Sequence, residues 1–374
     1  MIMVIWLLER PNPHDHRCGR WRATGSAGSG RTGSVAEEQG QAGAQGTATP
    51  TRGERRAGRG KAPRRRSPAA QATAAHLPVA RVLVDVPLAH LDRPFDYLVP
   101  ERLSASAVPG CRVRVRFAGQ LVGGYLLDRV AVSEHQGRLA ALERVVSPEP
   151  VLTPEIAALA REVADRYAGT MADVLRLAIP PRHAGVETAA QPRGEAEPQA
   201  AGGGSMPSVV RPEPGPWARY QQGAAFLAAL ADGRAPRAVW TALPGQDWPE
   251  EIARAAGTVA AAGRGALIVV PDARDLSLVD AALTRTLGPG RHVSLAAGLG
   301  PAERYRRWLA VAHGEIRVVA GTRAAMFAPV AGLGLVVVWD DGDDLHAEPR
   351  APYPHAREVL ALRAHRARDR KSVV

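Results

Sequence analysis

Four aspartates stand directly behind an apolar run in LGLVVVWDDGDDLH, from Leu333 to His346: Asp340, Asp341, Asp343 and Asp344. Carboxylates gathered at one point can hold Mg²⁺ or polarise a water molecule. They can equally be solvated charges at the end of a strand. A second signal is GCRVRVRF, in which Arg112, Arg114 and Arg116 alternate with Cys111, Val113, Val115 and Phe117. A period of two puts the three guanidinium groups on one face of a strand, where they can meet phosphates, although a solvated outer face is the commoner use of such a row. A third is RGERRAGRGKAPRRR, residues 52–66, whose charge suits nonspecific attraction to a phosphate backbone or plain solvation.

These residues act only if regular elements position them. Leu335–Trp339 has the length and β-branching of a strand buried on both faces, so the aspartates fall at a strand's carboxyl end. RAVWTAL, GALIVVP, HVSLAA, IRVVAGT and LGLVVVW read as strands, with WPEEIARAAGTVAAAG, LSLVDAALTRTL and PAERYRRWLAVAHG as helices among them. That alternation specifies an α/β fold with a parallel sheet. Ligands of such sheets bind at the carboxyl ends of the strands. Asp340–Asp344 occupy one such end, Gly321–Arg323 another and Leu243–Trp248 a third.

The arginine row belongs to a different element set. VARVLVDVPL alternates Val82, Val84 and Val86 with Arg81, Leu83 and Asp85, and QLVGGYLLDRV follows GCRVRVRF as its hairpin partner, with Gly123 and Gly124 as the expected bulge. A helix then begins at Thr153 as N-cap, with Pro154 and Glu155 in its first turn and Ile156, Leu159, Val163 and Tyr167 toward a core. Residues 181–216 turn to Gly, Ala, Pro and Glu and read as a flexible linker.

Of the formal charge of +11, +8 lies in residues 1–76, which have no apolar period beyond MIMVIWLL. That composition predicts a disordered basic arm. The eight apolar residues are too few to span a bilayer and lack the features of a signal peptide, so a cytoplasmic protein without a membrane partner is expected. Cys18 and Cys111 are the only cysteines, too few for a four-ligand zinc site or a disulfide framework.

ARVLVDVPLAHLDRPFDYLVP, GCRVRVRFAG, VVAGTRAAMFAPVAGLGLVVV and APYPHAREVLALRA occur in that order between roughly residues 79 and 365. Together they resemble the primosomal replication-restart helicases, the PriA or primosomal protein N′ family, in the divergent form of high-GC bacteria. The resemblance implies a small β-rich domain over 77–180 that captures the 3′ end of DNA, and one RecA-like helicase lobe over 217–374, an incomplete helicase core. It implies that Phe95, Asp96 and Tyr97 line the 3′-end pocket, with Gly110 as the glycine before the arginine strand and Arg138 as the nearest basic residue. In such a pocket an aromatic ring stacks on the terminal base and a carboxylate accepts from the 3′-hydroxyl.

At the nucleotide site the chain departs from the family. A phosphate-cradling loop needs glycines, a lysine and a hydroxyl. Here it reads PGQDWPEE, with Gly245 retained but Asp247 and Trp248 where the resemblance calls for lysine and threonine. Lys61 and Lys371 are the only lysines, one in the arm and one in the tail. The family's Asp-Glu-Glu-His box aligns with Trp339, Asp340, Asp341 and Gly342. These changes argue against ATP and Mg²⁺ binding, so no catalytic residue, metal site or cofactor is expected in this chain. The chain reads as truncated before the family's second lobe and its zinc segment. The expectation is a restart protein that binds abandoned or branched forks and starts primosome assembly without ATPase or helicase activity. Its expected partners are DNA, primosome proteins and single-stranded DNA-binding protein. An ATP-dependent 3′–5′ DNA helicase with an unusual nucleotide site and a nonspecific basic DNA-binding protein are the competing readings.

Overall fold

The computed structural model describes residues 2–7, 72–190, 213–234, 236–244, 248–296 and 298–369, which belong to one compact unit. Most of the expected arm and much of the expected linker lie outside the described residues. Residues 2–7 are a departure from the expected arm: they form strand β1 (Ile2–Leu7) within a sheet. An unbroken apolar run with isoleucine, valine and tryptophan suits a strand flanked on both sides.

The first domain is antiparallel. β2 (Val79–Val84), β3 (Pro94–Leu98), β4 (Arg112–Phe117), β5 (Gln120–Val130) and β6 (Arg144–Ser147) lie in the order β3-β2-β5-β4-β6. Between β4 and β5 the two turn residues, Ala118 and Gly119, both have positive φ, which matches the twist of a tight hairpin. The sheet closes on itself, because Leu98 of β3 donates to the Ala140 carbonyl and accepts from the Leu142 amide just ahead of β6. Inside lie Val82, Val84, Tyr97, Val113, Val115 and Leu126. Cys111 is buried with them, and burial pushes its thiol up to about 11, which leaves it unreactive at neutral pH.

The bulge falls elsewhere than at the glycines. Register along β5 slips between Asp128 and Leu126, so Leu127 is the extra residue. Gly124 serves close approach instead: a Cβ there would meet the Leu83 carbonyl oxygen at 2.6 Å.

Helices α1 (Pro154–Arg166), α2 (Met171–Ala178) and α3 (Ala184–Ala190) follow. Thr153 accepts from the Ile156 amide at 3.2 Å and Thr170 from the Asp173 amide at 3.1 Å, so hydroxyl caps start α1 and α2.

The second part is the expected α/β lobe. It runs α4 (Gly223–Ala231), β7 (Arg237–Thr241), α5 (Trp248–Ala261), β8 (Gly265–Val269), α6 (Ala273–Leu287), β9 (His292–Leu295), α7 (Pro301–Ala312), β10 (Val318–Gly321), β11 (Leu333–Val338) and α8 (Ala356–Asp369). Its sheet order is β7-β1-β11-β8-β10-β9. β11, β8, β10 and β9 are parallel, and β1 is antiparallel to both its neighbours. α4, α5 and α6 cover one face through Leu227, Ile252, Val259 and Val279. The other face carries α7 and α8, together with α1 and α2 from ahead of the linker.

Leu159, Val163 and Leu175 share one core with Phe327, Val336, Val338 and Leu360. Arg166 with Glu358, Arg363 with Glu155 and Arg366 with Glu162 tie α1 to α8 at 3.1, 3.2 and 2.8 Å. The core therefore does not break at residue 180, where the sequence places a boundary. Among the described residues no helix is long and apolar enough to cross a membrane.

Candidate nucleic-acid interface

The residues of RPFDY sit on β3, at the edge where the sheet closes. Consecutive residues of a strand project to opposite faces. Phe95 and Tyr97 go inward. Tyr97 is only 4% exposed, burial pushes its phenol up, and its hydroxyl donates to the Arg116 carbonyl at 3.3 Å. Phe95 is half-buried and packs edge-on against Phe117, with centroids 4.8 Å apart at 67°, while the Arg93 guanidinium lies 5.2 Å from its ring centre. Asp96 goes outward, where it accepts from the Ser133 hydroxyl at 2.5 Å and faces Arg81 at 3.9 Å. The strand thus does not bring the Phe95 ring and the Asp96 carboxylate side by side. What stands at the rim is a ring pair with Arg93, and the period-two pattern of GCRVRVRF, which turns Phe117 inward, was the signal for it.

Gly110 has φ +88, and a Cβ on it would lie 2.5 Å from the Leu152 carbonyl oxygen. Its amide donates to Leu126 and its carbonyl accepts from Leu152. It shapes the entry to β4 through backbone contacts, a position only glycine fits. Arg138 is exposed, in the segment between β5 and β6.

The three arginines of β4 are in three different situations. Arg112 donates to the Pro180 carbonyl at 2.7 Å and to the Tyr305 hydroxyl at 3.3 Å, and lies over the rings of Tyr125 and Tyr305. The Tyr305 hydroxyl donates in turn to Glu187 at 2.5 Å, and Glu187 pairs with Arg182 at 2.6 Å. Burial would raise the Glu187 carboxyl, but hydrogen bonds from Arg182 and Tyr305 outweigh it and hold the group below its ordinary value. Burial and Glu187 push the Tyr305 phenol up. Arg112 is therefore a brace between the β domain and the lobe. Arg116, by contrast, is exposed and pairs with Glu143 at 2.8 Å. Arg114 has no side-chain partner among the described residues.

At the carboxyl ends of the lobe's strands, Trp248 opens α5 and stacks on Trp339, with ring centroids 4.0 Å apart and planes within 8°. Trp339 is fully buried and continues through Trp240 to Trp217 at centroid distances of 5.8 and 5.1 Å. Gly245 and Asp247 lie outside the described residues. Asp340 has φ +49, Asp341 accepts from Arg357 at 3.2 Å, and Asp343 accepts from the Leu345 amide at 2.8 Å. Burial and Asp272 push the nearby Asp275 carboxyl up, and Asp340 adds to the effect. Among the described residues no group of three His, Cys, Asp or Glu side chains is arranged to hold a metal ion. A cleft of about 1250 Å³ does open in the lobe, but at the amino ends of β8 and β10, lined by Arg254, Arg264, Arg285 and Arg317, away from the strand ends where the aspartates lie.

Residues 81–180 match the family model of the PriA 3′DNA-binding domain (3′BD). Over that domain and the lobe the chain is similar to PriA proteins. The Probable replication restart protein PriA of Mycobacterium tuberculosis is 56% identical over 282 residues, which take in 75% of this chain and 41% of that protein. Its counterpart in Mycobacterium leprae is 53% identical over 280 residues, 75% of this chain and 42% of that protein. The Replication restart protein PriA of Bacillus subtilis is 32% identical over 108 residues, 28% of this chain and 13% of that protein. The chain spans about two-fifths of the length of the mycobacterial relatives it matches.

Proposed function

We propose that this chain recognises abandoned or branched replication forks by binding the 3′ end of a DNA strand in its β domain, as a step toward primosome assembly, and that it does so without hydrolysing ATP. The observation that carries the reading is the ring pair Phe95–Phe117 with Arg93 at the rim of a domain that matches the 3′ DNA-binding family. A half-buried aromatic at a rim beside a guanidinium suits a terminal base and the phosphate behind it. Handover to primosome proteins and to single-stranded DNA-binding protein belongs to the same proposal and rests on the family alone.

The absence of ATP hydrolysis is supported by the Trp248–Trp339 stack. Both rings stand where the family keeps polar groups for phosphate and Mg²⁺, and an indole offers neither a cation nor a carboxylate. Of the two acids that remain in the box, Asp340 and Asp341, the second is paired with Arg357. A helicase with an unusual nucleotide site has no comparable observation in its favour.

The test is fluorescence anisotropy on paired forks that differ only at the 3′ terminus, with the full chain because α1 and α2 share a core with the lobe. Phe95→Ala should lose about 1–3 kcal/mol on forks with a free 3′ end, the range of one stacked base. Asp96→Ala should leave discrimination between 3′-hydroxyl and 3′-phosphate intact, because that carboxylate is engaged on the outer face. A wild-type chain that binds both forks equally would refute 3′-end recognition. Steady ATP turnover that disappears in Asp341→Ala would refute the inactive-site reading.

A further inference from the structure

We infer that Arg114 and Arg144 form a clamp for one backbone phosphate of the bound strand, an inference that rests on the fork-binding reading. The pairing of β4 with β6 sets Arg114 directly opposite Arg144. Residues so opposed have Cβ atoms about 4.5–5.5 Å apart, and like charges there repel. Arg144 is exposed, and neither guanidinium has a side-chain partner among the described residues. The acids close by are already taken. Glu143 pairs with Arg116, and Asp85 pairs with Arg176 at 2.5 Å.

On the other side of Arg114, β5 presents Gly123, where an added Cβ would meet nothing within 4 Å. The row therefore reads arginine, arginine, bare backbone. Two forked donors side by side, with open backbone beyond one of them, suit a phosphate, whose negative charge converts the repulsion into attraction. β4 ends three residues beyond Arg114 at Phe117, the ring partner of Phe95. Strand rise puts that separation at about 10 Å, and because Phe117 turns inward and Arg114 outward, a strand whose end rests on Phe95 has to cross the rim of the sheet to reach the clamp. The sequence row of Arg112, Arg114 and Arg116 thus resolves into one phosphate ligand, and its companion comes from another strand.

The experiment uses the full chain with Arg114→Ala, Arg144→Ala and the double variant, titrated with forks and with plain duplex over a salt series. Each single change should weaken binding to both DNAs roughly ten-fold and lower the slope of log K against log salt by about 1. The double variant should lose less than the product of the two singles, because both side chains serve one phosphate. A second readout needs no DNA. At constant ionic strength inorganic phosphate should raise the melting temperature of the wild-type chain more than that of Arg144→Ala. If the wild type binds forks while both single variants keep its affinity and salt slope, the clamp is wrong and the fork reading stands. If the wild type binds no DNA but phosphate still protects it more than Arg144→Ala, the anion site stands and the fork reading falls. No DNA binding and no differential protection would overturn both.

Discussion

Two aromatic pairs, one in the β domain and one in the lobe, are built in opposite ways. In the β domain Phe95 meets Phe117 edge-on, half-buried, with Arg93 alongside. In the lobe Trp248 lies flat on Trp339, which is wholly enclosed by the aromatic chain leading to Trp217. An edge-on pair at a rim leaves part of a ring face for another planar group; a flat stack inside a core consumes the faces it joins. The first arrangement is that of a binding surface and the second that of a filled space. Under the proposed function the first pair belongs to a site that is open and the second to one that is packed shut.

The comparison breaks first at the buried stack. Trp339→Ala should destabilise the fold by about 3–5 kcal/mol in denaturant titrations, the range for deleting a large enclosed ring. A loss below about 1 kcal/mol would mean that the stack is not part of the core. Phe95→Ala should do the reverse, with a loss of about 1–3 kcal/mol that falls on binding to forks with a free 3′ end. Its chemical unfolding should move less than that of the tryptophan variant. Phe117→Leu keeps an apolar side chain there but removes the ring that meets Phe95, so fork binding should drop by only about 0.5–1.5 kcal/mol in the same anisotropy assay.

The smallest effect concerns the link between the two regions. Glu187 holds Tyr305, and through it Arg112, with a carboxyl depressed below its ordinary value in the folded chain. A depressed acid stabilises the fold above its unfolded pKa and loses that contribution as pH falls through the folded one. Between about pH 5 and pH 3 the melting temperature of the wild type should therefore fall more steeply than that of Glu187→Gln. Parallel curves would show that the charge on Glu187 does not matter to the brace.

Local pattern made the frame of this fold legible and left the long-range pairings hidden. Continuous apolar runs such as Gly265–Val269 and Leu333–Val338 gave the parallel sheet, because a strand covered on both faces has no polar alternation. Thr153 announced α1, since a cap acts within three residues of itself. The opposed faces of Phe95 and Asp96 were within reach of the same period-two rule that sorted Arg112 from Val113. The stack was not, because Trp248 and Trp339 meet only after the sheet has formed. Neither was the split among the arginines, since Tyr305 and Glu143 reach β4 from distant segments. The seat of β1 is the extreme case: both of its partners, Arg237–Thr241 and Leu333–Val338, lie more than two hundred residues away in sequence.

That seat has a consequence for how the chain is made. Both neighbours of β1 belong to much later segments, Arg237–Thr241 and Leu333–Val338. At ordinary translation speeds of about 5–20 residues per second, the ribosome needs roughly 15–65 s to travel from Leu7 to Val338. Until Thr241 has been made neither partner of this apolar β-segment exists, and until Val338 only one of them does. Before then its unpaired backbone groups are open to water, a chaperone or another nascent chain. The pairing of this strand on both edges can thus be completed only after Val338 has been made, about 330 residues after the strand itself.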